Sequence, residues 1–347
     1  MTTEAMKAVV LEQTGSAENL VYQDTARPLI TDPNHVLIRV KACGVAYRDI
    51  IERRGGHPFL QTPIIQGHEF SGEVVETGAN VRRWTVGDRV INLYVDSCGV
   101  CDHCVGGDER RCANVTQMFG LITNGGYAEY VVAHERALER LHDDIPYEIG
   151  ACIMSAVAVA YNNVNFRVNV RKGEIVLVTG ASGGVGMAAL QCIKCLGATA
   201  WAVTSNADKV SVLEEMGADR VFVNDGSSIH KEVRALEPAG IDAAIDCVGS
   251  ATLLSAIKSL RRMGRVAAIG TINPEPLNLN LGTIVVNGIE IKGSDGTSRV
   301  AIRESMELVA SGAIRVRIDQ TLPLAEAANA HQRLEDRKAT GRIVLVP

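Results

Sequence analysis

The apolar positions of this chain change rhythm partway along. Over roughly the first 150 residues they form short β-prone runs broken by Gly, Pro and Asp: HVLIRVKACGV from His35, FSGEVVETG from Phe70, GDRVINLY from Gly87 and GYAEYVVA from Gly126. From Glu174 the runs lengthen and alternate with helical stretches: EIVLVTG, ATAWAVT, DRVFVN, IDAAIDCVG, GRVAAIG and GIEIKGS. Strand alternating with helix predicts an α/β fold with a doubly wound parallel sheet. The tail carries a helix, RVAIRESMELVASG, and a last apolar run, GRIVLVP, and is expected to rejoin the β-rich part. The domains expected are 1–156 with 296–347, and 157–295. There is no internal repeat or low-complexity tract.

Composition narrows the function classes. At 347 residues the chain is long for one core, and 46% hydrophobic content supports ordinary interiors. A net charge of −5, spread along the sequence, argues against nucleic acid or a membrane surface as partner. The start, MTTEAMKAVVLEQ, has no long apolar run, so no signal peptide or membrane helix is indicated and a cytoplasmic location is expected. The nine cysteines are odd in number and fit a reducing compartment. Four of them, Cys98, Cys101, Cys104 and Cys112, are separated by two, two and seven residues. Such spacing turns four thiolates onto one tetrahedral ion, with no corner left for water, so it predicts one structural Zn2+ in a lobe spanning 96–113. Cys43, Cys152, Cys192, Cys195 and Cys247 lie in apolar runs and read as core residues.

The run VTGASGGVG follows the strand EIVLVTG and opens the helix GMAALQCIKCLG. Ala181, Gly183 and Gly186 fill a G-x-G-x-x-G frame whose first glycine is alanine, with Gly180 and Gly184 adding backbone freedom. In that context the glycines let a pyrophosphate approach a helix N-terminus, predicting a dinucleotide site that includes Ser182 and Val185. The second strand, ATAWAVT, ends in Thr204, Ser205 and Asn206, with Lys209 one turn on. Hydroxyls and a lysine without a leading carboxylate suit a 2′-phosphate, so NADPH is preferred over NADH. The plainer alternative is that Ser205 and Asn206 cap the next helix and that Asp208 and Lys209 lie on its solvated face.

These features, with CGVAYRD at 43–49, GHEFSGEVVETG at 67–78, VGDRV at 86–90, DCVG at 246–249 and GRIVL at 341–345, resemble the medium-chain dehydrogenase/reductase superfamily along essentially the whole chain. The resemblance implies a GroES-like catalytic domain beside a Rossmann domain. It also implies cofactor contacts from Val248 and Gly249, and pyrophosphate contact from Arg342. Relatives place a catalytic zinc on a cysteine where this chain has Ala46, on the histidine of GHE, His68, and on a later ligand that here falls on Ser155, which leaves only His68 with Glu69 beside it. Alanine has no donor, and a neutral hydroxyl is a poor zinc ligand. The family's proton-relay positions are occupied by Arg48 and Ile51. Cys43 and Cys152, each three residues before a missing ligand, offer a rebuilt site only after a displacement that alternates face along the strand.

Loss of the Lewis acid together with the proton relay predicts a metal-free reduction of an already activated acceptor, a C=C conjugated to a carbonyl or acyl thioester. The YRD sequence is similar to that of acryloyl-CoA-type reductases. Tyr47, Arg48, His68 and Tyr94 are the expected hydrogen-bond or proton donors, with Asp49 orienting its neighbours. Two other readings stand beside this one: an alcohol dehydrogenase with a rearranged metal site, and a non-catalytic NADPH-binding sensor or scaffold. The expected partners are a small-molecule substrate and further copies of the chain, in a homodimer or homotetramer paired through an edge strand such as GIEIKGS.

Overall fold

The computed structural model describes residues 4–106, 109–272, 275–294 and 296–347, without the side chain of Arg110. Residues 107–108, inside the expected zinc lobe, and 295, the expected end of the nucleotide-binding domain, lie outside that set. The chain divides into two compact units: one runs to Ser155 and regains Ser298–Ala310 and Ile318–Pro347, and the other comprises Ala156–Thr297 and Ser311–Arg317.

The first unit is built on a seven-stranded sheet ordered Leu138–Arg140, Arg89–Asn92, Phe70–Thr77, His35–Val45, Arg342–Val346 and Ile318–Pro323, with Tyr130–His134 also paired to His35–Val45. His35–Val45 is central, so its apolar run is nearly continuous rather than alternating. Val36, Ile38, Val40, Phe70, Val90, Val131, Ile343 and Leu345 share one core. A register shift between Val40 and Ala42 interrupts pairing with Phe70–Thr77 just before the segment that carries the polar residues at 46–49. The opening Ala5–Leu11 was not foreseen as a strand; it pairs with Leu20–Ala26 and Ile64–Ile65 in a separate sheet.

The second unit holds a six-stranded parallel sheet ordered Arg220–Val223, Thr199–Thr204, Ile175–Thr179, Ile241–Asp246, Leu260–Ala268 and Glu290–Gly293. Numbered along the chain this is 3-2-1-4-5-6, the doubly wound order, and each strand falls on an apolar run expected of it. The order reverses between Ile175–Thr179 and Ile241–Asp246, so the turns after them, at 180–183 and 247–249, lie side by side.

Two expectations need correction. Cys195 ends the Gly184–Cys195 helix exposed, and Cys247 is half-buried, because both lie at element ends rather than in the strand and helix interiors. The stretch 147–167 is one helical run that is long and apolar enough, by length and composition, to cross a membrane. Two-thirds of it is buried inside the protein, as befits a core helix. Its turns at Ile153–Val157 and Asn162–Arg167 are π-helical.

Candidate functional site

The four lobe cysteines converge. Their sulfurs lie within 4.8 Å of one another, against about 3.8 Å in a tetrahedral zinc thiolate. Backbone N–H groups already point at sulfur: Cys98 N donates to Cys112 Sγ at 3.2 Å, Cys101 N to Cys98 Sγ at 3.4 Å and Asn114 N to Cys112 Sγ at 3.4 Å. Donation from Val100 and Cys101 brings the Cys98 thiol down to about 6, favouring thiolate. The donor set therefore fits one structural zinc, which would tie the loop from Cys98 to Cys112. Among the described residues this is the sole group of three or more His, Cys, Asp or Glu with ligand atoms this close.

The glycine turn after Ile175–Thr179 is closely packed. Gly180 has φ +59°, and a Cβ there would sit 2.9 Å from Val248 Cγ2, so this glycine is needed both for its backbone and for the neighbouring turn. A Cβ on Gly186 would lie 2.6 Å from Ala181 Cα, which is the close approach of helix to strand that the third glycine permits. Gly183 caps the Gly184–Cys195 helix, and beside it Ser182, Gly184 and Val185 stay partly open. An added Cβ on Gly183 would meet only Gly180 O, at 3.5 Å, leaving room for a phosphate over the helix N-terminus. Across the switch point, buried Asp246 accepts from Thr179 Oγ1 at 2.5 Å and from Gly249 N at 2.8 Å, fixing the turn that carries Val248 and Gly249. Burial pushes the Asp246 carboxyl up.

Thr204 ends its strand buried and Ser205 is exposed. Asn206 Oδ1 accepts from Asp208 N at 2.8 Å, so the capping role holds for Asn206. Lys209 is buried rather than on a solvated face. No carboxylate ends this strand.

In the first unit a polar cluster forms where metal ligands would be expected. The helix Tyr47–Arg53 starts at Ala46, whose N–H donates to Asp49 Oδ2 at 2.9 Å. Alanine has no side-chain acceptor for the Asp49 N–H, so this is half of a capping box, and it uses one carboxylate oxygen and leaves the other for a different donor. That oxygen, Oδ1, takes His68 Nδ1 at 2.7 Å, and His68 Nε2 lies 3.1 Å from Ser155 Oγ. Burial alone would push Asp49 up, but the His68 charge and hydrogen bond outweigh it and hold the carboxyl at about 2. Behind it, Tyr127 Oη donates to Asp49 Oδ2 at 3.4 Å and lies 3.0 Å from His331 Nε2, and Arg53 Nε donates to His331 Nδ1 at 3.3 Å. Arg53 itself pairs with Glu335 at 2.5 Å.

The other expected donors are arranged differently. Arg48 binds Glu52 at 2.7 Å, donates to Tyr94 Oη and lies 4.0 Å over the Tyr94 ring. Burial pushes the Tyr94 phenol up, so it hydrogen-bonds better than it gives up a proton. Tyr47 is half-buried at the start of its helix. Arg342 is buried as an ion pair with Glu69, and its Nε has no hydrogen-bond partner among the described residues. Burial brings its guanidinium down to about 10.

The thiols offered for a rebuilt metal site point elsewhere. Cys43 Sγ donates to Glu69 O at 3.1 Å and Cys152 Sγ to Glu148 O at 3.4 Å. Burial raises both, Cys152 to about 12, which disfavours the thiolate a metal would need. Sequence reasoning treated Ser155 only as a lost ligand and did not single out Tyr127, Arg53 or His331. For Ser155 the signal was present, a polar residue inside the apolar run GACIMSAVAVAY. For His331, 278 positions from Arg53, there was none.

Two families match the chain: the alcohol dehydrogenase GroES-like domain over residues 32–143 and the zinc-binding dehydrogenase over 184–311. The chain is similar to acryloyl-coenzyme A reductase of Sulfurisphaera tokodaii, 30% identical over 99% of this chain and 100% of that protein. It is similar to an alcohol dehydrogenase of Geobacillus stearothermophilus, 32% identical over 98% and 99%. Among solved structures it resembles AibC, 41% identical with TM-score 0.91, over 100% of this chain and 97% of that one.

Proposed function

The chain belongs to the medium-chain dehydrogenase/reductase superfamily, and from that premise we propose that this oxidoreductase is an NADPH-dependent ene reductase acting on α,β-unsaturated carbonyls or acyl thioesters without catalytic zinc. The observation that carries the reading is the donor set around His68: Ala46 and Ser155 stand in the ligand positions, and the Cys43 and Cys152 thiols are turned to backbone carbonyls. The acryloyl-coenzyme A reductase relative supports the acceptor class.

When bound, NADPH supplies hydride to the β-carbon. The protein's part is to hold the acceptor's carbonyl oxygen, where negative charge develops. Arg48, anchored by Glu52 and Tyr94 yet 42% exposed, keeps guanidinium N–H groups for that oxygen. Tyr94, Tyr47 and His68 are the remaining polar donors, and Asp49 fixes His68. The turn at 180–186, Val248, Gly249 and Arg342 would hold the dinucleotide, with Thr204, Ser205, Asn206 and Lys209 around its 2′-phosphate. Free thiols and a thiolate zinc lobe suit a reducing cytoplasm. A second copy would pair along the edge strand Glu290–Gly293, where Ile291 and, on the preceding helix, Leu281, Val285 and Val286 are exposed.

Zinc per chain, measured alongside NADPH oxidation with crotonyl-CoA and with a simple aldehyde, tests the reading. About one zinc with consumption of the enoyl thioester is expected. Two zincs with aldehyde turnover would replace it by the alcohol dehydrogenase reading, which the Geobacillus relative favours. Tight NADPH binding without turnover on any acceptor would leave a sensor or scaffold.

A further inference from the structure

We infer that Ser155 gives the substrate its proton, through a relay that runs Asp49–His68–Ser155; this rests on the ene-reductase reading above. Hydride addition at the β-carbon leaves an enolate, and the reaction ends only when the α-carbon gains a proton. The source must be a hydroxyl or imidazole at the site, backed by a group that replaces what it gives.

Ser155 meets that requirement by geometry. Its hydroxyl is 3.1 Å from His68 Nε2, and the far nitrogen of the same ring is 2.7 Å from Asp49. His68 and Asp49 are buried, whereas Ser155 is only half-buried, so it is the open end of the chain. It sits in the π-helical turn Ile153–Val157, one of two such turns in the helical run 147–167. The closed end is braced. Arg53 has only donors, so its bond to His331 Nδ1 makes that nitrogen the acceptor and puts the His331 proton on Nε2, which donates to Tyr127. Tyr127 in turn donates to Asp49. With Ala46 N and His68 also donating, Asp49 is fixed as a carboxylate acceptor and holds one orientation of the His68 ring. Tyr94, by contrast, accepts its bond from Arg48, a permanently charged guanidinium that does not replace a proton given away.

The step balances. The hydride pair forms the β-carbon C–H bond and the C=C π pair moves onto the carbonyl as enolate. The enolate then takes the Ser155 hydroxyl proton at the α-carbon. Ser155 recovers a proton from protonated His68, and His68 is recharged from water. The cofactor's two electrons account for the reduction, and solvent supplies the proton.

The test uses the full-length zinc-loaded protein with NADPH and crotonyl-CoA in D2O. Wild type should place deuterium at the α-carbon with one stereochemistry. Ser155→Ala should bind NADPH within twofold of wild type, lose about 10²-fold in kcat and deuterate both faces, because bulk solvent then quenches the enolate. Ser155→Thr, which keeps a hydroxyl, should recover much of the rate and the single stereochemistry. Ser155→Ala with near-normal kcat and unchanged stereochemistry overturns the relay while leaving ene reduction standing. A wild type that binds NADPH but reduces no enoyl thioester overturns both.

Discussion

His331 makes the protein's stability depend on pH in a window that can be calculated. The ring is fully buried, and burial, with the Arg53 charge added, outweighs the Asp49 carboxylate and lowers it from an ordinary value of 6.5 to about 4. The groups facing it are Arg53 from the Tyr47–Arg53 helix, Tyr127 and Asp49. Because the folded value is depressed, the unfolded chain takes up the proton first as pH falls. The stabilisation is therefore complete above about 6.5 and is lost progressively down to about 4, where the folded ring also protonates. The gap between 6.5 and about 4 is worth roughly 3 kcal/mol. Asp49, held at about 2, acts in a separate window below its ordinary 3.8. The chain has two tryptophans, and Trp84 lies in the same unit as His331 while Trp201 lies in the other. Urea unfolding followed by Trp84 fluorescence in a Trp201→Phe background therefore reads the right unit. His331→Gln keeps an N–H for Tyr127 but cannot titrate, and should cost about 1 kcal/mol at pH 7. Between pH 7 and 4 the parent should lose roughly 3 kcal/mol more than this variant. Parallel curves would refute the assignment of a neutral, Arg53-fixed His331.

Three further outcomes are expected. Cys104→Ser should leave the chain unable to retain its zinc against a mild chelator and should lower the unfolding midpoint of the unit that contains the lobe, read by zinc content and by Trp84 fluorescence. Ser205→Asp places a carboxylate at the end of the Thr199–Thr204 strand, so NADPH affinity should fall by about tenfold or more, roughly 1.4 kcal/mol, while NADH affinity rises, measured by cofactor fluorescence. Ile291→Lys should shift the protein toward monomer in sedimentation, because a lysine on an edge strand opposes pairing between copies.

What the sequence disclosed and what it withheld follow from how far each signal reaches. Strand runs and helix periods are local, and so is the glycine turn, whose demand for close backbone approach is visible in seven consecutive residues and recurs as the crowding around Gly180 and Gly186. The zinc lobe is legible because its four thiols lie within fifteen residues. The Ala5–Leu11 strand was missed because its alternation is brief and its partners, Leu20–Ala26 and Ile64–Ile65, are set by tertiary pairing. The polar cluster is the extreme case. Ser155, His68, Asp49 with Arg53, Tyr127 and His331 come from five separate stretches, and what each does depends on which nitrogen or oxygen the next one presents. Read along the chain, Ser155 is a ligand position emptied of its ligand; read in space, it is a hydroxyl on an imidazole whose orientation is fixed from behind. The Asp49 contact by itself is also what a metal-ligating histidine keeps on its far nitrogen. The open hydroxyl on the other nitrogen, where a metal would otherwise bond, is the group from which we draw the proton that the enolate needs, and the deuterium outcome with Ser155→Ala decides it.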